Sequence, residues 1–223
     1  MQPADAFTSS AVPVGQPRWP AALASIAVGL LFYAVPQTLA AGPRWLPLAL
    51  VSTLMIGAQL MGRAGERGVN SVLAFSGLGV ITAGLVSSLG LLVVRLPTHK
   101  ESPLELLQAA AALWVSNLLV FACWYWRLDG GGPYERDRRG VHTDGAFLFP
   151  QMQMGQLARV QMGEDKWSPG FVDYLFLAFN ASTAFSPSDV PVLSRWAKAM
   201  MMIQSTISLT TLALLAARAV NIL

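Results

Sequence analysis

Val69–Val94 reads VNSVLAFSGLGVITAGLVSSLGLLVV, 26 residues without a single charge. A helix of that length is about 39 Å long, more than the roughly 30 Å of a bilayer's hydrocarbon core. The run therefore predicts a membrane-spanning helix with length to spare for tilt. Its small residues include Gly77, Gly79, Gly84, Gly90, Ala83, Ser87 and Ser88. Pairs four apart, such as Gly84 with Ser88, let helix backbones approach closely.

Working outward, four more segments are apolar and free of acidic residues: Ala21–Ala40, Leu46–Gly62, Leu106–Trp126 and Trp196–Ala217. Each approaches or exceeds the length that crosses a bilayer as a helix. Pro36 with Gln37 is expected to kink the first. The links Ala41–Trp45, Arg63–Gly68 and Arg95–Glu105 are short, which makes neighbouring helices antiparallel. The expected architecture is an all-α membrane bundle of five transmembrane helices. A sixth apolar segment, Phe171–Ala181 (FVDYLFLAFNA), is too short to cross as a helix and reads as re-entrant, with a sixth crossing as the alternative.

Composition agrees. The chain has 223 residues and is 54% apolar before its 19 glycines are counted. Soluble domains reach about 45–50% with glycine included. Charged residues make up 12%, about half the usual share, and mean hydropathy is +0.50. A net charge of +3 is too small to imply nucleic acid. Residues 1–20 form a polar tail without the basic region of a signal peptide, so the first apolar run is expected to be retained.

Residues 127–170 break the apolar pattern with twelve of the 27 charges, opened by Gly130–Gly131–Gly132–Pro133. This reads as a charged cytoplasmic loop whose apolar middle, Ala146–Pro150, lies at the membrane interface. With the N-terminus inside, Arg18, Arg63, Arg67, Arg127, Arg136, Arg138, Arg139, Arg159, Lys166, Arg195 and Lys198 fall inside. Arg44, Arg95, Lys100 and Arg218 fall outside. The positive-inside rule favours that orientation, and a multi-pass inner-membrane location follows.

Enzyme signatures are missing: there is no HExxH, CxxC, GxSxG or phosphate-binding glycine loop. His142, Asp144, Asp129 and Asp137 are too few for a metal set and read as solvated loop residues. No catalytic residue, metal or cofactor is expected. Cys123 reads as packing, and Trp124, Tyr125 and Trp126 as an interfacial belt. Gln204, Ser208 and Thr211, with Arg218, share one face of the last helix, and Ser205, Thr206 and Thr210 widen that arc. Such a face either lines a pathway or makes interhelical hydrogen bonds. Asn117 reads as interhelical glue. Thr183–Pro191 (TAFSPSDVP) is a non-helical turn that places Thr183, Ser186 and Asp189 at a wet site if it dips into the membrane. Ser194 is placed to cap the last helix.

The order in Trp167–Leu223 of short apolar helix, Thr-containing turn, Asp, Pro and long helix resembles the pore helix, filter and inner helix of two-span pore-loop ion channels. Leu106–Trp126 would then be the outer helix. The turn contains no glycine, so the carbonyl filter of a potassium channel is not expected. The stretch DYLFLAFNASTAFSPSDVPVLSRWAKAMMM is also similar to an uncharacterised family of bacterial multi-span integral membrane proteins. That family supplies no activity, and the channel resemblance implies a permeation subunit acting as a homo-oligomer, its pathway using Thr183, Ser186, Asp189, Gln204, Ser208 and Thr211. The alternative is a non-transporting scaffold that binds a protein partner through residues 127–170.

Overall fold

The computed structural model describes residues 16–40, 42–95, 102–139, 145–164, 167–183 and 190–220. In chain order the α-helices are α1 (Trp19–Leu31), α2 (Trp45–Arg63), α3 (Arg67–Arg95), α4 (Pro103–Leu128), α5 (Pro133–Arg139), α6 (Pro150–Gln153), α7 (Gln156–Gln161), α8 (Phe171–Thr183) and α9 (Arg195–Val220). Among the described residues the only strand-like pairing is one antiparallel bridge, Phe147 with Val192. Four helices, α2, α3, α4 and α9, are long and apolar enough to cross a membrane.

The expected first span does not form one helix. Pro36 restricts Val35 to an extended conformation (φ −85°, ψ 127°), because the proline ring clashes with a helical residue before it. The α-helix stops at Leu31, and single 3-10 turns follow at Phe32–Ala34 and Gln37–Leu39. Thirteen helical residues reach about 20 Å. The proline thus breaks the run instead of kinking it, and the described spanning helices number four, not five.

α4 is the centre of the bundle. Ser102 and Glu105 form a capping box: the Ser102 hydroxyl accepts from the Glu105 N–H, and the Glu105 carboxylate accepts from the Ser102 N–H at 3.0 Å. Pro103 occupies the first turn, where its missing donor costs nothing. Two thirds (67%) of the apolar window in this helix is buried, against 17%, 33% and 22% in α2, α3 and α9. α4 touches α1, α3, α8 and α9.

The α1–α3 layer closes by small-residue packing. A Cβ on Gly29 would lie 3.0 Å from the Leu48 Cα of α2, and one on Gly84 2.8 Å from the Phe32 ring. The small residues of Val69–Val94 thus do seat neighbours, at Gly84 under Phe32 and at Gly77 against Met55. α2 and α3 leave Leu50, Ile56, Leu60, Val72 and Val86 exposed, as lipid-facing residues should be.

α8 and α9 lie side by side and run in the same direction. Phe147 meets Tyr174 at the start of α8 and Trp196 at the start of α9, with ring centroids 6.2 and 6.1 Å away. Further along, Ala178 and Ser182 of α8 meet Gln204 of α9, and Ser182 meets Ser208. Both helices begin at the end of the bundle where α4 finishes. α8 stops beside the middle of α9. Ser194 caps α9 as expected, accepting from the Ala197 N–H at 3.3 Å.

Candidate functional site

Two polar constructions hold α8 in place. The first is a plug made by the charged loop at the end of α4. Gly130, Gly131 and Gly132 all have positive φ (57°, 79° and 90°). A Cβ on Gly132 would lie 2.7 Å from the Arg127 carbonyl oxygen, so the turn needs glycine twice over. It sends α5 back against α4. Arg136, 5% exposed, donates through Nη1 to the carbonyls of Trp126 (2.8 Å) and Asp129 (2.6 Å), and through Nη2 to Gln16 Oε1 (3.0 Å). The guanidinium thereby satisfies carbonyls that the helix end leaves without partners.

Asp129 is fully buried. One carboxylate oxygen accepts from the Ala146 N–H at 2.5 Å and the other from the Tyr174 hydroxyl at 2.6 Å. A single side chain therefore ties the end of α4 to the loop and to the first turn of α8. Phe147 fills the space between them, 1% exposed, against Tyr125 (5.2 Å between centroids), Tyr174 and Trp196. Backbone bonds on either side of Phe147 (Leu148 N–H to Pro191 O, 3.0 Å; Leu193 N–H to Ala146 O, 2.8 Å) join the loop to the approach to α9. Asp173 tightens the start of α8, accepting from the Gly170 N–H at 2.7 Å. Burial pushes its carboxyl above the ordinary value.

These placements correct three expectations. Asp129 and Arg136 are buried structural residues, not solvated loop. Ala146, Phe147 and Phe149 lie inside the bundle end instead of at an interface. Tyr125 and Trp126, 0% and 2% exposed, are core residues and not an interfacial belt.

The second construction is a ladder of hydrogen bonds between α4, α8 and α9. Gln204 is its centre and is fully buried. Its Nε2 donates to the Ala178 carbonyl (2.7 Å) and to the Ser182 hydroxyl (2.9 Å), while its Oε1 accepts from the Tyr125 hydroxyl (2.5 Å). Its backbone carbonyl accepts from Asn117 Nδ2 at 3.2 Å. One turn on, Ser208 donates to the Ser182 carbonyl (2.7 Å) and accepts from Trp114 Nε1 (2.8 Å). Thr211 bonds the carbonyls of Ile207 and Ser208. Each such bond is worth about 0.6–2 kcal/mol within a membrane. Together they set the register of a helix too short to be positioned by spanning.

Of the expected pathway residues, the structure brings Gln204, Ser208 and Thr211 together inside the protomer. Thr183 ends α8, exposed, its hydroxyl donating to the Phe179 carbonyl at 2.9 Å. Ser186 and Asp189 lie outside the described residues, as do His142 and Asp144. Among the described residues no group of three His, Cys, Asp or Glu is placed to hold a metal. The polar arc of α9 divides: Ser205, though exposed, donates to the Ala181 carbonyl of α8 at 2.8 Å, while exposed Thr206 and half-buried Thr210 donate to carbonyls one turn back. Sequence reasoning missed Trp114, Tyr125, Ser182, Asp129 and Tyr174 as partners. Part of the signal was present: Trp114, Asn117 and Tyr125 are three and then eight residues apart, which puts a second polar stripe on α4.

Comparison with family models, with curated proteins and with solved structures returned no match to this chain.

Proposed function

We propose that this chain is a membrane permeation subunit built on a pore-loop plan and working as a homo-oligomer. The observation that carries the reading is the parallel pair α8 and α9. A half-length helix enters from the end where α4 finishes, stops beside Gln204 and Ser208, and is followed by a long helix that starts again at that same end. Outer helix, half-helix and inner helix then correspond to α4, α8 and α9. In this proposal α1, with the turns that follow it, is the fifth membrane segment and α8 is re-entrant.

The end holding Arg18, Arg67, Arg127 and the loop cations faces the cytoplasm, and Arg44 and Arg95 mark the opposite face, in keeping with the positive-inside rule. The half-helix therefore enters from the cytoplasmic side, opposite to the channels it resembles. One protomer encloses no pathway. Cyclic copies would supply one, with Val172, Phe176 and Phe179 of α8, exposed by 71%, 59% and 46%, offered to the neighbour. Thr183 and Thr206, both exposed, are assigned to the route together with the expected Ser186 and Asp189, which lie outside the described residues. Gln204, Ser208 and Thr211 support it from behind. In proteoliposomes, Asp189→Asn should lower cation flux severalfold; unchanged flux and selectivity would remove Asp189 from the pathway.

A second reading, a scaffold that binds a protein partner, is favoured by one observation. Leu157, Val160 and Met162 on and beside α7 are 73%, 57% and 65% exposed. If that reading holds, Leu157→Glu should abolish partner capture and the unaltered chain should carry no flux in proteoliposomes. Flux that persists in Leu157→Glu would speak for the first.

A further inference from the structure

The α1–α4 layer contains a second site that the pore-loop reading does not use. Between α1, α2, α3 and α4, at the basic end, lies a cavity of about 50 Å³. That is room for a few water-sized atoms. Arg18, Trp126 and Arg127 line it. Each presents a buried nitrogen without an acceptor: Arg18 Nε, Trp126 Nε1 and Arg127 Nε. Trp126 is 98% buried, being 2% exposed, so open solvent does not satisfy its indole. Leaving such buried donors empty is unfavourable.

The charge at the site is unbalanced. Arg127 Nη2 donates only to the carbonyl oxygen and side-chain oxygen of Asn70, at 3.2 and 3.1 Å. Among the described residues it has no carboxylate partner. Asn70 in turn donates through Nδ2 to the Ala58 carbonyl, and its side-chain oxygen is already engaged by Arg127. Arg18 shares its Nη2 with Asp137 at 3.1 Å, with its side chain 38% exposed, which leaves a charged rim open to the surface. Two guanidiniums against one carboxylate leave a positive excess. The deeper wall is apolar, including Met55 and Leu78. A bare anion gains nothing from that wall, whereas a phosphate ester with a glycerol and acyl chain does.

We propose that this cavity is a phosphate-group site occupied by the headgroup of an anionic phospholipid. Arg127 and Arg18 hold the phosphate oxygens and the four helix ends close around it. Basic pockets between helix ends are a recurrent means of holding anionic headgroups. The site depends on the chain residing in a membrane and is independent of whether it conducts.

The test uses the purified full chain in detergent with three additions: phosphatidylglycerol, phosphatidylcholine and inorganic phosphate. Native mass spectrometry counts bound lipid and thermal unfolding reads stabilisation. Phosphatidylglycerol should remain bound and raise the melting temperature, with phosphatidylcholine at least tenfold weaker. Arg127→Gln should abolish that preference, and Arg18→Gln should weaken it severalfold, the unfolding midpoint without added lipid recording what the lost Asp137 and Tyr134 contacts cost the fold. Stabilisation by inorganic phosphate equal to that by phosphatidylglycerol would reassign the site to a free anion and overturn the lipid. Equal retention of both lipids by the unaltered chain, or an Arg18→Gln variant with undiminished preference, would overturn the site itself.

Discussion

α1–α3 and α8–α9 pack against different faces of α4 and are held by different means. The first group is joined mainly by close approach. Gly29 sits against the backbone of α2, Gly84 lies under Phe32, and Ile81, Leu85 and Val51 are fully buried. Its polar ties are fewer and scattered: Asn70 to the Ala58 carbonyl, Trp124 to Thr82 and Arg127 to Asn70. The second group is joined by hydrogen bonds through Gln204, Ser208, Asp129 and Tyr174. In a bilayer, apolar contact alone does not drive helices together, since lipid tails are as apolar as leucine. A long helix such as α3 is fixed in depth by its own length. α8 has only 13 residues and its depth is specified by polar partners, whereas α1, equally short, is seated by Gly29 against α2.

That contrast can be broken deliberately. The largest effect should come from Asp129→Ala. It removes the acceptor of the Tyr174 hydroxyl and of the Ala146 N–H, and it leaves Arg136 buried among carbonyls. We expect a loss of about 3–5 kcal/mol, measured by chemical unfolding in detergent, with α8 released before α1–α3. Gln204→Leu follows. It preserves bulk but strands Tyr125, Ser182 and the Ala178 carbonyl, at about 2–3 kcal/mol. Hydrogen exchange should rise by roughly 30-fold or more across α8 and stay unchanged in α2 and α3. An equal rise in both regions would erase the distinction. The smallest effect belongs to the other region: Gly29→Val should force α1 away from α2 at about 1–2 kcal/mol, without altering exchange in α8.

Legibility in the sequence divides along the same line. The long spans could be read because uninterrupted apolar length has one physical meaning. α3 and α9 lie where expected, and α4 begins three residues earlier because Ser102 and Glu105 form a capping box. The first apolar run does not form the single kinked helix expected of it, because Pro36 acts on its predecessor, Val35, and that backbone restriction outweighs an apolar pattern. The polar stripe on α9 was legible as a stripe. Its partners were not, since pairing Gln204 with Tyr125 and Ser182 depends on α8 running parallel to α9, a fact of packing that no local pattern states. Residues 127–170 misled most. Charge density suggested solvent, yet Asp129 and Arg136 are buried because the three glycines turn the chain straight back onto the end of α4.

The central claim is that α8 and α9 start from the same side, and topology labelling tests it most directly. In a Cys123→Ser background, single cysteines at Ser168, Leu193 and Val94 are exposed to a membrane-impermeant thiol reagent, in intact cells and in inverted vesicles. All three positions are exposed in the fold. Ser168→Cys and Leu193→Cys should label from one and the same side, and Val94→Cys from the other. Labelling of Ser168→Cys and Leu193→Cys from opposite sides would mean that the segment between them crosses the membrane, and the pore-loop account would be contradicted.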